Sequence, residues 1–133
     1  MKPLYLIACS AAKLDHAAPA AQLYTGQAFR LAMAAAARVN ADVLILSAQH
    51  HVIEPDQTLA PYNRALSAMS RLERRIWAQH AAYKLLPHYG RTIVVLAGKH
   101  YAQALEGFKN VYFPLRGQGI GHQLQTLKGL NHA

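Results

Sequence analysis

The feature that most restricts the fold of this chain is a set of four short, almost uninterrupted apolar runs, at residues 4–9, 43–47, 92–97 and 110–113. A strand wetted on one face alternates apolar with polar residues. A strand covered on both faces has no polar side to show and reads as a continuous run. Such strands pair in parallel, and parallel neighbours must be joined by crossovers long enough to hold a helix. The intervening segments supply those helices. Residues 27–39 are alanine-rich, include Phe29, Leu31 and Met33, and stop at Asn40. Residues 71–88 open on Ser70 with Glu73 three positions on, a capping box that satisfies two otherwise orphaned amides. Leu72, Ile76, Tyr83 and Leu86 recur there at helical spacing as the expected core face, and Pro87 and Gly90 mark the end. Residues 99–106 form a short helix closed by Gly107, and residues 120–130 place Ile120, Leu124 and Leu127 on one stripe. Right-handed crossovers set helices on both sides of a sheet. The expectation is a single α/β domain over residues 1–133: a three-layer α/β/α sandwich around a four-stranded, mainly parallel sheet.

At 133 residues the chain has room for one domain, enough to bury roughly two-thirds of its unfolded surface. No apolar run approaches the roughly 18 residues of a membrane helix. The opening Met1-Lys2-Pro3-Leu4 runs through apolar residues straight into Ser10 and Lys13 without a small-x-small cleavage site, so a buried first strand is expected rather than a signal peptide. Cys9 is the only cysteine, which fits a reducing compartment and a cytoplasmic location away from membranes.

Charge is unevenly distributed. Residues 1–63 balance four basic against four acidic side chains, whereas residues 64–133 carry ten basic ones against only Glu73 and Glu106. That asymmetry points to a polyanion partner, since phosphate contacts supply most non-specific nucleic-acid affinity. Arg71, Arg74, Arg75 and Lys84 belong to one helix and are expected as a solvated basic face.

Two connections are long for such a fold, at residues 10–26 and 48–63. Compact domains rarely keep loops beyond about 12–15 residues without a use for them. Both follow strands, so both belong at the carboxyl edge of the sheet, where open α/β folds bind ligands. The first supplies Ser10, Lys13 and Asp15: Lys13 for an anionic group, Asp15 as a base or orienting carboxylate, or the two as a plain surface pair. Cys9 reads as a buried structural cysteine. Thr25 is positioned as an N-cap and Gly26 permits close backbone approach, while Tyr24 either stacks on a base or covers the core. In the second loop Ser47 and Gln49 are hydrogen-bonding groups for a base edge or sugar, beside His50, His51, Glu54 and Asp56. No C-x-x-C or H-E-x-x-H pattern supports a metal, and neither metal nor cofactor is expected. Tyr62 and Asn63 add an aromatic ring and an amide suited to a nucleobase. After the third and fourth strands, Lys99 and the stretch Arg116-Gly117-Gln118-Gly119 are expected to hold phosphates at helix starts, although neither a G-x-G-x-x-G fingerprint nor a Walker lysine is present.

The ordered motifs Ala8-Cys9-Ser10-Ala11-Ala12-Lys13-Leu14-Asp15, Leu23-Tyr24-Thr25-Gly26, Ile45-Leu46-Ser47-Ala48 leading to Val52-x-x-Pro55-Asp56, and Pro61-Tyr62-Asn63 resemble the YaaA-like superfamily. Its named members are bacterial peroxide-stress proteins that bind DNA, and the resemblance, including the glycine-rich ending, is closer to its smaller single-domain relatives. Where that family usually has a Tyr-Gly or similar small turn, this chain has His50-His51. The resemblance implies a nucleic-acid-related role, with DNA rather than RNA as partner. At the level of fold alone, the expected sandwich with polar strand-end loops is also similar to the uracil-DNA glycosylase class.

Three functions follow as expectations. The first is an N-glycosylase-like hydrolase that flips a modified or damaged DNA base between the two long loops. In it Asp15 or Asp56, with Lys13, does the chemistry; Ser47, Gln49, His50 and Asn63 read the base; Tyr24 or Tyr62 stacks; Lys99 and Arg116 hold phosphates. The second is a non-catalytic DNA-binding stress-response protein. The third is a small-nucleotide binder using the glycine-rich loop.

Overall fold

The computed structural model describes residues 2–132. The strands are β1 (Leu4–Ala8), β2 (Ala18–Pro19), β3 (Asp42–Ser47), β4 (His51–Ile53), β5 (Thr58–Leu59), β6 (Ile93–Leu96) and β7 (Val111–Tyr112). The helices are α1 (Ala20–Leu23), α2 (Gln27–Arg38), α3 (Arg71–Leu85), α4 (Lys99–Ala102) and α5 (Ile120–Leu130). Five strands form one sheet in the order β4-β3-β1-β6-β7. β1 pairs in parallel with β3 and β6, β6 pairs in parallel with β7, and β4 is antiparallel to β3. The expected four-stranded sheet is therefore corrected to five. The extra strand, β4, folds back from within the second long connection and is too short and too mixed in composition to register as a run.

The continuous apolar runs have the meaning assigned to them. Leu4, Leu6, Leu44, Leu46, Ile93 and Val95 point to one face, where they pack with Trp77, Ala81 and Leu85 of α3. Ile7, Ile45 and Leu96 point to the other, against Phe29, Ala32 and Ala36 of α2 and Leu127 of α5. The two-residue period of a strand divides each run between two cores.

α3 begins as expected: the Ser70 hydroxyl accepts from the Glu73 amide at 3.1 Å and the Glu73 carboxylate accepts from the Ser70 amide at 2.9 Å. Its packing face is not the expected one. The buried residues are Trp77, Ala78, Ala81 and Leu85, whereas Leu72, Ile76, Tyr83 and Leu86 are exposed. Small alanines let the helix approach the sheet closely, and the Trp77 indole N–H donates to the Ser47 carbonyl oxygen at 2.8 Å, which fixes the helix rotation. α5 also departs from expectation at one end: Leu127 is buried but Ile120 is exposed. Among the described residues no helix is long and apolar enough to cross a membrane.

Candidate functional site

The two long connections close on each other. Residues 18–19 and 58–59 pair as an antiparallel two-stranded ribbon, and the Ala20 and Ala21 amides donate to the Gln57 and Pro55 carbonyls. Beneath this ribbon, at the carboxyl ends of β1 and β3, lies a chain of hydroxyl groups. Ser47 is the only polar side chain in the buried class among the described residues, and Tyr24 is buried with it. The Ser47 Oγ accepts from the Gln49 and His50 amides at 3.2 and 3.1 Å. The Tyr62 hydroxyl lies 2.6 Å from Ser47 Oγ and 2.6 Å from the Tyr24 hydroxyl. With both Ser47 lone pairs occupied by amides, donor accounting runs one way: Ser47 donates to Tyr62, and Tyr62 donates to Tyr24. Burial raises the pKa of both phenols well above the ordinary value, so they remain neutral.

Other members of the first connection are bound up in the same junction. Lys13 Nζ sits 4.5 Å from the centre of the Tyr62 ring and donates to the Ala11 carbonyl. Ser10 Oγ accepts from the Gly26 amide at 3.1 Å, and a Cβ at Gly26 would lie 2.7 Å from Ser10 Cβ, so this contact requires glycine. The N-cap of α2 is Gly26 and not Thr25, with no side-chain cap, and the Ser10 hydroxyl accepts from the amide of Gly26 itself. The His50 ring meets Tyr62 edge-on with centroids 5.2 Å apart. His51 adopts φ +66° and its ring lies parallel to Trp77. A left-handed position at His51 is where a glycine turn would otherwise serve. Cys9 Sγ contacts the Tyr101 hydroxyl of α4 at 3.4 Å, a residue the sequence reading did not single out.

The two aspartates expected to do chemistry are elsewhere. Asp15 is fully exposed and paired to His16 at 2.8 Å, and that hydrogen bond holds its carboxyl below the usual range. Asp56 is exposed in the turn between β4 and β5, and Asn63 and Gln49 are exposed as well. Neither Asp15 nor Asp56 is among the residues that line the cavity beside Lys99 and Arg116.

The open space lies farther along the same edge. A cavity of about 1000 Å³ separates the segment after β6 from the segment after β7. Lys99, Arg116, Gly117 and Gly119, four residues read as phosphate-holding from different parts of the chain, all line it. Its position follows from topology. β6 leads into residues 99–105, which join the α3-side core, whereas β7 leads to α5 on the α2 side. Connections that diverge to opposite faces open a crevice at the strand ends. Arg116 lies over the Phe113 ring at 4.2 Å, which holds the guanidinium at the rim while leaving its N–H groups available. Gly117 takes φ +75°, a turn that a side chain would strain. α5 begins at Ile120 behind the N-cap Gly119, which supplies no side-chain cap, and both residues line this space. Desolvation, with the Arg74 and Lys99 cations as smaller contributors, lowers the His100 pKa. Glu106 is the one carboxylate among the lining residues, and Gln118 and Gln123 add amides. Gln118 lies in the stretch already read as phosphate-holding, whereas Glu106 and Gln123 carry no sequence signal because no spacing rule joins them to it.

Among the described residues no cluster of three or more His, Cys, Asp or Glu side chains is arranged to hold a metal. No curated protein matches the chain. Residues 4–129 match the family of unknown function DUF6884, and over nearly its whole length the chain thus belongs to that family.

Proposed function

We propose that this DUF6884 protein is nucleic-acid-directed and seats one nucleotide unit of DNA in the cavity between the β6 and β7 connections. The observation that carries this reading is the convergence of Lys99, Arg116, Gly117 and Gly119 on one cavity. Two cations, a glycine turn and uncapped helix amides match the geometry of a phosphodiester, and the surrounding amides and Phe113 suit a base and sugar. The excess of basic residues in the second half of the chain supplies long-range attraction to the polymer. Helical cover on both sheet faces supports reading the fold as the three-layer α/β/α sandwich expected from the apolar runs and their helical crossovers.

Binding of fluorescein-labelled single- and double-stranded DNA, followed by anisotropy across a salt series, tests the reading. Affinity should fall steeply with salt, and Arg116→Ala and Lys99→Ala should each reduce the salt slope by about 1. Absence of binding, or binding indifferent to salt and to both substitutions, refutes it. Tight binding of free nucleotides without affinity for DNA would move the assignment to a small-nucleotide binder.

A hydrolytic form of the reading is favoured by the placement of Glu106 in the cavity. A carboxylate there takes a proton from a water that attacks the sugar C1′ as the C1′–N bond breaks, and the departing base nitrogen takes up a proton from bulk water. DNA carrying normal and modified bases would release free base, detectable by mass spectrometry. Glu106→Gln should abolish release, whereas alanine at Asp15 and Asp56 should leave it intact.

A further inference from the structure

A second concavity lies where the turn between β3 and β4 meets α3. This cleft holds about 270 Å³, against about 1000 Å³ for the cavity beside Lys99 and Arg116. Its wall is rich in rings: His51, Trp77 and His80 line it, with the His51 and His80 centroids 5.1 Å apart. Ile76, 46% exposed, extends that apolar surface. Gln49, Arg64 and Glu73 bring polar groups to the same space. The hydroxyls of Tyr24, Tyr62 and Ser47 are spent on one another, and here the opposite holds. The side chains of Gln49, His51, Arg64 and His80 make no hydrogen bond among the described residues. Glu73 commits one carboxylate oxygen to the α3 cap.

We infer that this cleft seats a nucleobase from the same DNA strand that places a nucleotide in the cavity. The inference rests on the nucleic-acid reading of that cavity. Size comes first: the cleft is below the roughly 300–1,000 Å³ of pockets for drug-sized ligands, and a single flat heterocycle suits it. Charge selects the same group. Arg64 lies close enough to Glu73 to hold its carboxyl below the usual range, so the two offset one another and the cleft favours an uncharged ring over a phosphate. Histidine and tryptophan rings are surfaces on which unpaired bases stack. The Gln49 amide offers a donor and an acceptor, as a base edge requires. Arg71 and Arg75, exposed on the first turns of α3, supply cations for phosphates outside the cleft.

The two sites are neighbours. His100 lines the cavity, and the Arg74 cation sits within electrostatic reach of it. The same guanidinium donates to the carbonyls of Leu66 and Met69, and Met69 lines the cleft. A strand leaving the cavity past Lys99 and His100 therefore reaches the cleft across a basic surface, and two seated bases on one strand bind more tightly than one.

Trp77 is the only tryptophan in the chain and lines the cleft but not the cavity, so its emission reports the cleft. A single-stranded thymidine oligonucleotide of about eight residues, titrated in low salt, should quench that emission, while anisotropy of the fluorescein-labelled strand reports total binding. His80→Ala should remove most of the quenching and weaken binding about 5-fold or more, the effect of losing one stacked base. Gln49→Ala is a second surface variant expected to act in the same direction, and far-UV circular dichroism checks that both remain folded. Lys99→Ala should move the titration to higher DNA concentration and leave the final quenching unchanged. Binding that Lys99→Ala weakens but that never quenches Trp77 would overturn the cleft and leave the cavity reading standing. Quenching that survives both His80→Ala and Gln49→Ala at unchanged affinity would overturn it too. Quenching lost in those variants yet indifferent to Lys99→Ala and Arg116→Ala would support the cleft as a base site and remove the cavity reading. A protein that binds no DNA refutes both.

Discussion

The carboxyl edge of this sheet carries two crevices of similar origin and opposite outcome. Between β1 and β3 the departing connections are long, and they return to fill the gap with Tyr24, Tyr62 and Ser47, each hydroxyl bonded to the next. Between β6 and β7 the gap remains as a cavity lined by Lys99 and Arg116, while the Gln118 and Gln123 side chains at its wall are hydrogen-bonded within the α5 end of the chain. Motif density is highest at the first crevice, whose residues are polar, aromatic and closely spaced. The structure shows that those residues spend their hydrogen-bonding capacity on one another. Polar residues near a strand end are as able to hold a fold together as to hold a ligand, and the difference lies in whether their partners are already present.

That contrast makes opposite predictions for substitutions in the two places. The largest expected effect is at Tyr24: Tyr24→Ala empties a buried aromatic site and should cost about 3–5 kcal/mol in urea denaturation. A loss below about 1 kcal/mol would mean that the first crevice is not the packed support described. Ser47→Ala should cost less, about 1–3 kcal/mol, because it leaves the Gln49 and His50 amides and the Tyr62 hydroxyl without their shared partner. By contrast, Arg116→Ala at the rim of the open cavity should change stability by no more than about 0.5 kcal/mol while weakening DNA binding. If it unfolded the protein, the open crevice would be structural as well.

The smallest effect is a dependence on pH. Burial and the Lys84 cation hold the pKa values of His50 and His51 below the ordinary 6.5, so the folded state prefers both rings neutral. Their contribution is therefore complete above about pH 6.5 and declines as pH falls through the lower folded values. His51→Asn, which tolerates the left-handed backbone, should flatten the melting temperature between pH 7.5 and 5 relative to the parent. Parallel slopes for the two proteins would show that His51 does not contribute.

Much of this was legible before any coordinates. The four apolar runs, the Ser70–Glu73 capping box and the end of α2 before Asn40 depend on neighbours in sequence, and they stand as read. The phosphate-type residues Lys99, Arg116, Gly117 and Gly119 were legible as types, though not as one site. The rotation of α3 was not legible. Its front stripe has the larger side chains, but its back carries the alanines that permit close approach and the indole that finds the Ser47 carbonyl. Hydrophobic spacing identifies a face, and it does not say which of two faces meets the protein's own core.

The amino-acid sequence by itself determined the class of fold, because strands covered on both faces cannot be written with alternating polarity and must be joined through helices. It also determined the basic second half and the chemical character of each strand-end segment. Only the tertiary structure decided which polar groups are already satisfied, which crevice stays open, and which apolar face is left to solvent. Those outcomes depend on contacts between residues far apart in the chain: Ser47 with Tyr62, Lys13 with Tyr62, residues 18–19 with 58–59. No local pattern records such a pairing, since it is selected by the volume and hydrogen-bonding left unfilled once the sheet has formed.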